Sequence, residues 1–328
     1  MTAPSPRVAL VLALTLLLAT PAVGSATSAK RGLAWANGKW VPMDAFDTSN
    51  TSITSYYTWT PTPVSGAPFK FIPMLWGCDA DHISEFQSAL ANNFSGADLT
   101  DDKVILGFNE PDIDSQSNCT PALAASVWQE YLEPLKKKGY RLGSPAVTAG
   151  QWGKAWLLEF YEECGGGCNP DFQAVHWYDM TVDNFKSVLV GYYDAFQLPM
   201  WVTEYAVQNF SDNQHGTDGN AQATQAQINS FMTTTLSWMD NQSWIERYFW
   251  FGAMYEMQGV NDYNCLFKLA DNVSRTGALS ALGKMYLDDP TGISYASGAA
   301  SRLLLPVAAA DLLPITAAIV VALLYSSL

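Results

Sequence analysis

Short apolar runs alternate with longer stretches of helical character over most of the chain. Eight runs rich in β-branched and aromatic residues predict strands at residues 31–36, 55–59, 70–76, 104–109, 141–146, 174–178, 200–204 and 248–253. The stretches around them predict helices at residues 80–92, 121–138, 154–164, 182–196, 221–239 and 278–287. The connections after the first two strands are less clearly helical.

Strands that alternate with helices indicate β/α units and a parallel sheet. Eight such strands in roughly 250 residues fit a (β/α)8 TIM barrel. We place this single domain at residues 27–290. A doubly wound open sheet is the alternative. In a barrel, the functional site is assembled at the carboxyl ends of the strands.

Both ends of the chain carry signals of an exported protein. Residues 1–26 resemble a secretory signal peptide, because Arg7 precedes an apolar run at residues 8–18 and small residues follow. Residues 291–328 combine small residues, a short spacer and an apolar tail, which is the pattern of a GPI-anchor signal. A C-terminal membrane helix is the alternative, although no basic cluster follows the tail.

An extracellular location agrees with the sequons and the cysteines. Six Asn-x-Ser/Thr sequons occur, at Asn50, Asn93, Asn118, Asn209, Asn241 and Asn272. Five cysteines allow two disulfides and one free thiol. Cys164 and Cys168 flank three glycines and could close a tight loop. Cys78 and Cys119 follow two successive predicted strands, which leaves Cys265 unpaired.

Composition narrows the class of ligand. A net charge of −14 opposes binding to the phosphates of nucleic acid. Twelve tryptophans and fifteen tyrosines offer flat faces that stack on sugar rings, although many such rings fill protein cores. His82, His176 and His215 show no metal-ligand spacing, and the sequence has neither a P-loop nor a G-x-S-x-G elbow. We therefore expect an uncharged ligand, no metal and no cofactor.

Two glutamates interrupt apolar strands at equivalent positions. Glu110 follows the fourth run, in GFNEPD, and Glu204 ends the seventh, in WVTEYA. Charged residues seldom remain in such runs unless they are paired or used. Strands four and seven lie on opposite sides of a barrel mouth, so the two carboxylates are expected to face each other across one bound sugar linkage.

Five ordered motifs carry a family resemblance: GLAWA at 32–36, FIPMLWG at 71–77, LGFNEPD at 106–112, VHWYD at 175–179 and WVTEYA at 201–206. Together they resemble glycoside hydrolase family 128, within the clan of retaining glycosidases built on (β/α)8 barrels. The resemblance covers about residues 30–289. Known members of the family act on β-1,3-glucan. The resemblance implies that Glu110 is the general acid/base, that Glu204 is the nucleophile and that Asn109 binds the sugar 2-hydroxyl.

Further residues are expected near this site. His176 and Tyr178 lie on the sixth strand, where either could orient Glu204. Trp250, on the eighth strand, resembles the platform tryptophan under the reacting sugar. Weaker candidates for sugar contacts, each equally well explained by packing, are Trp76, Tyr57, Trp35 and Tyr205.

These expectations describe an extracellular, GPI-anchored endo-β-1,3-glucanase that works as a monomer. It would act with retention on a β-glucan polysaccharide or oligosaccharide, at the cell surface or in a cell wall. Transglycosylation is a variant of the same chemistry. The alternatives are a non-catalytic glucan-binding wall protein and a barrel glycosidase for another β-glycan, such as mannan or cellulose. The presence of both carboxylates argues against the first, and the motifs argue against the second.

Overall fold

The structure is a computed structural model that describes residues 30–36, 43–49, 51–210, 222–257, 259–268 and 278–287. Within these ranges, the strands are β1 (Arg31–Ala34), β2 (Ile53–Tyr57), β3 (Lys70–Phe71), β4 (Val104–Ile105), β5 (Arg141–Leu142), β6 (Gln173–Asp179), β7 (Met200–Val207) and β8 (Ile245–Trp250). The α-helices are α1 (Ala80–Ala91), α2 (Pro121–Val127), α3 (Gln151–Cys164), α4 (Val182–Phe196), α5 (Gln225–Asp240) and α6 (Ala281–Tyr286).

The strands close into a parallel cylinder. Six of them are joined in the order β3-β2-β1-β8-β7-β6, and β4 pairs with β5. Single parallel bridges join these two groups: Met74 to Leu106 links the ends of β3 and β4, and Gly143 to Phe172 links β5 to β6. The predicted (β/α)8 barrel is therefore confirmed.

All eight predicted strands form, but β3, β4 and β5 each have only two residues in a regular ladder. Pro73 and Pro145 explain part of this difference, because proline has no N–H to donate to a neighbouring strand. Beyond them the walls continue as isolated bridges, such as Asn109 to Ala146. β7 is longer than predicted and runs on past Glu204 to Val207.

The helices differ from prediction where proline and capping residues intervene. Residues 121–138 are not one helix: α2 ends at Val127, a π-helical turn spans Trp128–Leu132 and a 3-10 helix spans Glu133–Lys138. Pro134, at the start of the 3-10 segment, cannot continue an α-helical ladder. α5 begins at Gln225 because Thr224 and Gln227 form a capping box. The connection from β2 to β3 has no helix, as its sequence indicated.

The barrel interior is filled with side chains below the mouth. A buried cluster there includes Tyr57, Leu106 and Phe249. Trp201 stacks on Phe172 with ring centroids 4.1 Å apart. A ligand therefore meets a packed floor and can bind only at the mouth.

Two disulfides join Cys78 to Cys119 and Cys164 to Cys168, which confirms the predicted pairs. Cys265 is a buried free thiol. The Cys78–Cys119 bond fastens the loop after β3 to the loop after β4.

Among the predicted glycosylation sites, Asn93, Asn118 and Asn241 are exposed. Asn209 is only 9% exposed, which disfavours attachment of a glycan. Outside the described residues lie Asn50, Asn272, His215, the predicted signal peptide and the predicted anchor signal. In the described part of the chain, the helices are all too short or too polar to cross a membrane.

Candidate active site

Glu110 sits just beyond β4 in an unusual backbone conformation. Its amide donates to the carbonyl of Ala146 over 2.7 Å, which fixes it beside β5. Its φ is +42°, in the left-handed region that side chains other than glycine seldom adopt. Such strain is kept where the surrounding structure over-determines it, often at functional sites. Here it turns the side chain into the mouth before Pro111 redirects the chain.

Glu204 lies inside β7 and not at its end, which corrects the prediction. The pairing of β6 with β7 changes register between Val175 and His176, so that Val175 lies opposite Val202 and His176 opposite Glu204. Thr203 is thus an extra residue on β7, a β-bulge. Bulges re-aim neighbouring side chains, and this one brings Glu204 level with His176.

The two carboxylates meet on either side of His176. Its Nδ1 is 2.9 Å from Oε1 of Glu110, and its Nε2 is 3.4 Å from Oε1 of Glu204. One carboxylate oxygen of each glutamate and the ring nitrogen all lie within 4.8 Å of one another. Glu110 is 8% exposed and Glu204 is 5% exposed, so both are shielded but reachable from the mouth.

Both oxygens of Glu204 are held by neutral donors. The hydroxyl of Tyr178 donates to Oε2 over 2.6 Å, which is one of the contacts expected from the sequence. The indole N–H of Trp59 donates to Oε1 over 2.6 Å. Trp59 also has a left-handed backbone, with a φ of +59°. Its ring packs edge-on against Tyr57, with centroids 4.8 Å apart.

Trp59 contacts Glu204 but was not among the residues expected from the sequence. It ends the second predicted strand, and its position at a carboxyl terminus was the available signal. Nothing in the local sequence indicated that an indole from strand two would reach across to strand seven.

Burial and neighbouring charges set the protonation of the site. Burial raises the pKa of Glu110, His176 lowers it through its hydrogen bond and charge, and Glu204 and Asp112 raise it again, so the net pKa is raised. Burial lowers the pKa of His176, but the carboxylates of Glu204 and Glu110 outweigh it, so the net pKa is raised. Burial and the same two carboxylates raise the pKa of Tyr178 well above its usual value, which keeps it a neutral donor. Burial and the neighbouring carboxylates thus favour the protonated form of Glu110 more than solvent would, which is the form that a general acid needs.

Glu110, His176 and Glu204 are also ligand types for a metal ion. The imidazole, however, turns a different nitrogen to each carboxylate. One ion bound to a single ring nitrogen could not use both of these contacts. The arrangement therefore fits an imidazole placed between two carboxylates, with one hydrogen bond to Glu110, better than a metal centre.

Asn109 directly precedes Glu110 and is 3% exposed. Its Nδ2 donates to Oε1 of Gln116 over 3.2 Å, while its Oδ1 is buried and has no hydrogen-bond partner among the residues that the structure describes. An unpaired buried carbonyl beside the carboxylates can accept a hydrogen bond from a ligand hydroxyl. Trp76 is half-buried and packs at a tilt against His82, with ring centroids 4.5 Å apart and an angle of 34° between the ring planes.

Three of the expected sugar contacts face the core instead. Trp250 is fully buried, donates its indole N–H to the carbonyl of Asn264 and packs towards Phe231 of α5. Trp35 and Tyr205 are also fully buried. All three side chains belong to the main buried hydrophobic cluster, so in this structure they support the barrel and do not form a sugar platform. Tyr57 is buried under Trp59, where its hydroxyl donates to the carbonyl of Thr203.

Comparisons with known proteins agree with this geometry. The family model described as "Glycosyl hydrolase catalytic core" matches residues 32–286. Alkali-sensitive linkage protein 1 of Schizosaccharomyces pombe is 34% identical over 268 residues. That match covers 80% of this chain but only 45% of the relative, so the chain spans about half of the relative's length.

Solved structures give the same result. A curdlan-specific exo-β-1,3-glucanase of family 128, subgroup III, from Blastomyces gilchristii is 31% identical, with a TM-score of 0.60 over 80% of this chain and 98% of that one. A subgroup VII oligosaccharide-binding protein from Cryptococcus neoformans is 25% identical, with a TM-score of 0.61 over 80% of this chain and 94% of that one. The five motifs, the barrel and the paired glutamates agree with these matches, and the chain belongs to the glycosyl hydrolase catalytic core family, as a member of glycoside hydrolase family 128.

Proposed function

We propose that this protein hydrolyses β-1,3-glucan with retention of anomeric configuration, using Glu110 and Glu204. The observation that carries the proposal is that facing oxygens of the two carboxylates lie within 4.8 Å of each other at the barrel mouth. Retaining glycosidases place their carboxyl groups about 5–5.5 Å apart, whereas inverting enzymes need about 6.5–9.5 Å to admit a water molecule.

The two residues divide the work by their protonation. Glu110, whose pKa is raised, protonates the glycosidic oxygen as the bond to the anomeric carbon breaks. Glu204 attacks that carbon and forms a glycosyl ester, while Trp59 and Tyr178 hold its oxygens in place. Glu110 then takes a proton from water, whose oxygen displaces Glu204 and releases the sugar. Asn109 would accept a hydrogen bond from the sugar 2-hydroxyl through its free Oδ1.

The family and the substrate of the Blastomyces relative support β-1,3-glucan as the substrate. Internal cleavage, and action outside the cell or in its wall, are part of the proposal and follow from the resemblance and the export signals of the sequence. The Blastomyces protein is an exo-enzyme, so terminal cleavage is the competing mode for this chain. A glucan-binding protein without activity is the alternative function, which the presence of an oligosaccharide-binding protein in the same family keeps open. The intact carboxylate pair of this chain favours catalysis over binding alone.

The test is incubation of the purified protein with linear β-1,3-glucan, with β-1,4-glucan and with β-1,4-mannan. We expect short oligosaccharides from β-1,3-glucan alone, with retained configuration in the first products. Release of glucose alone from chain ends would assign terminal cleavage. Binding without any cleavage or transfer would assign the alternative function and refute the proposal.

A further inference from the structure

The loop after β5 carries an aromatic side chain that the packing of the barrel does not use. Trp152, in the first turn of α3, is 64% exposed, more than the other large apolar residues in the described part of the chain. Burial of an indole is favourable because it removes apolar surface from water, so folding alone gives no reason to leave this ring exposed.

The indole is nevertheless held in a defined place. Its six-membered ring lies so close to the backbone of Gly150 that a Cβ added to that glycine would be 2.5 Å from ring carbons. Gly150 has an ordinary φ of −65°, so glycine is needed here for space and not for its backbone freedom. The ring therefore rests on the loop while most of its surface remains open to solvent.

The loop that leads into Trp152 adjoins the loop that follows Glu110. Asp112, two residues after Glu110, accepts hydrogen bonds from the amide of Thr148 and so ties the loop after β4 to the loop after β5. Gly153, next to Trp152, packs against the same contact, since an added Cβ would lie 2.2 Å from the carbonyl of Thr148 and 3.1 Å from the carboxylate of Asp112. Trp59 and Tyr178, by contrast, contact Glu204.

We propose that Trp152 is a platform for the leaving and acceptor chain of a β-glucan. This inference rests on the proposed function, in which Glu110 protonates the leaving oxygen. The part of the chain that departs must then lie on the side of Glu110, where Trp152 offers an aromatic face to the C–H face of a glucosyl unit.

The same platform promotes transfer to a second sugar chain. When an oligosaccharide binds there before water attacks, its hydroxyl oxygen attacks the anomeric carbon of the glycosyl ester. The bond from that carbon to Glu204 breaks, the electron pair returns to the Glu204 carboxylate, and the hydroxyl proton passes to Glu110. A new glycosidic bond replaces the ester, so atoms and charge balance.

The test uses laminaribiosyl fluoride as donor, because its leaving group places no sugar on the acceptor side. Hydrolysis of the fluoride and its transfer to added laminaritriose are measured for the wild type, Trp152→Ala, Trp152→Phe and Gly150→Ala. We expect Trp152→Ala and Gly150→Ala to raise the half-saturating laminaritriose concentration by roughly three- to tenfold while hydrolysis of the fluoride stays within twofold. Trp152→Phe should recover part of the loss.

Leu158→Ala is the matched control, since Leu158 is another exposed apolar residue of α3, at 53%. Its acceptor dependence should equal that of the wild type. An unchanged acceptor dependence in Trp152→Ala, or an equal loss in fluoride hydrolysis and transfer, would overturn the platform. A wild type that turns over neither the fluoride nor β-1,3-glucan would refute the proposed function, and the platform with it.

Discussion

Trp59 and Glu204, 145 positions apart in sequence, are joined by an indole-to-carboxylate hydrogen bond of 2.6 Å at the barrel mouth. A hydrogen bond to a charged group contributes about 1.5–3 kcal/mol. Trp59→Phe removes the donor but keeps an aromatic ring, so we expect kcat on β-1,3-glucan to fall by roughly 10- to 100-fold with little change in KM.

Trp128→Phe is the control for that variant. Trp128 donates its indole N–H to Oε2 of Glu133 over 2.8 Å, the same type of contact remote from the mouth. Trp128→Phe should lower the melting temperature and leave kcat and KM unchanged. If the two variants had the same kinetics, Trp59 would have no positioning role.

Azide distinguishes the two glutamates by stereochemistry. In Glu110→Ala, azide can replace the water molecule, because azide needs no general base. We expect this variant to turn over an activated aryl β-glycoside faster with azide than without it, and to form the β-glycosyl azide. In Glu204→Ala, azide replaces the nucleophile, and the product is the α-glycosyl azide. Nuclear magnetic resonance of the products identifies the anomer. The opposite assignment would exchange the roles of the two residues.

The alkaline limb of the profile of kcat/KM against pH reports Glu110 losing its proton. Burial raises the pKa of Glu110, so this limb is expected above the range of an exposed glutamate. His176 lowers that pKa through its hydrogen bond and charge. His176→Met should therefore move the limb to higher pH while reducing kcat.

Two variants check the sign of that effect. The charge of Asp112 raises the pKa of Glu110, so Asp112→Asn should move the limb to lower pH. Tyr178→Phe, which affects only a contact to Glu204, should reduce kcat and leave the limb in place. A limb that moved in the same direction in His176→Met and Asp112→Asn would exclude the electrostatic account.

The two disulfides should differ in their contribution to stability. Cys78–Cys119 spans 41 positions and Cys164–Cys168 spans four. A disulfide lowers the conformational entropy of the unfolded chain, and more so for a longer loop. On this basis the first disulfide contributes about 4 kcal/mol and the second about 2 kcal/mol to the free energy of unfolding. Replacing both cysteines of a pair by serine should lower the melting temperature roughly twice as far for Cys78 and Cys119.

Activity separates the same two variants. The Cys78–Cys119 bond ties the loop that holds Trp76 to the loop that follows Glu110, so its loss should also lower kcat at temperatures where the protein is folded. Loss of Cys164–Cys168, at the end of α3, should not. Equal kinetics in the two variants would show that this tie does not position Glu110.

The sequence was sufficient for the barrel and for the meeting of Glu110 with Glu204, because strand order places carboxyl ends at one mouth. It was not sufficient for Trp250. Whether a strand residue faces inward or outward depends on register, and one extra residue reverses it. The pairing of β7 with β8 shifts between Val202 and Tyr205, a detail that only tertiary contacts decide.

Trp59 and residues 121–138 differ in what the local sequence could predict. The reach of Trp59 to Glu204 depends on a left-handed backbone in a loop, for which the local residues give no signal. Pro134, in contrast, was a visible interruption of the predicted helix, and its effect follows from local chemistry.

The strands that carry Glu204 are paired over a greater length than the strands next to Glu110. β6 and β7 are paired at seven positions that include Glu204, whereas β4 and β5 are paired regularly at only two positions, before the chain reaches Glu110. Local opening is easiest where few ladder bonds must break, so backbone amides near Glu110 should exchange with deuterium before those near Glu204. If the barrel wall opens locally near Glu110 and remains closed near Glu204, the mouth can widen to admit a polysaccharide chain. The nucleophile then keeps the position in which it forms the glycosyl ester.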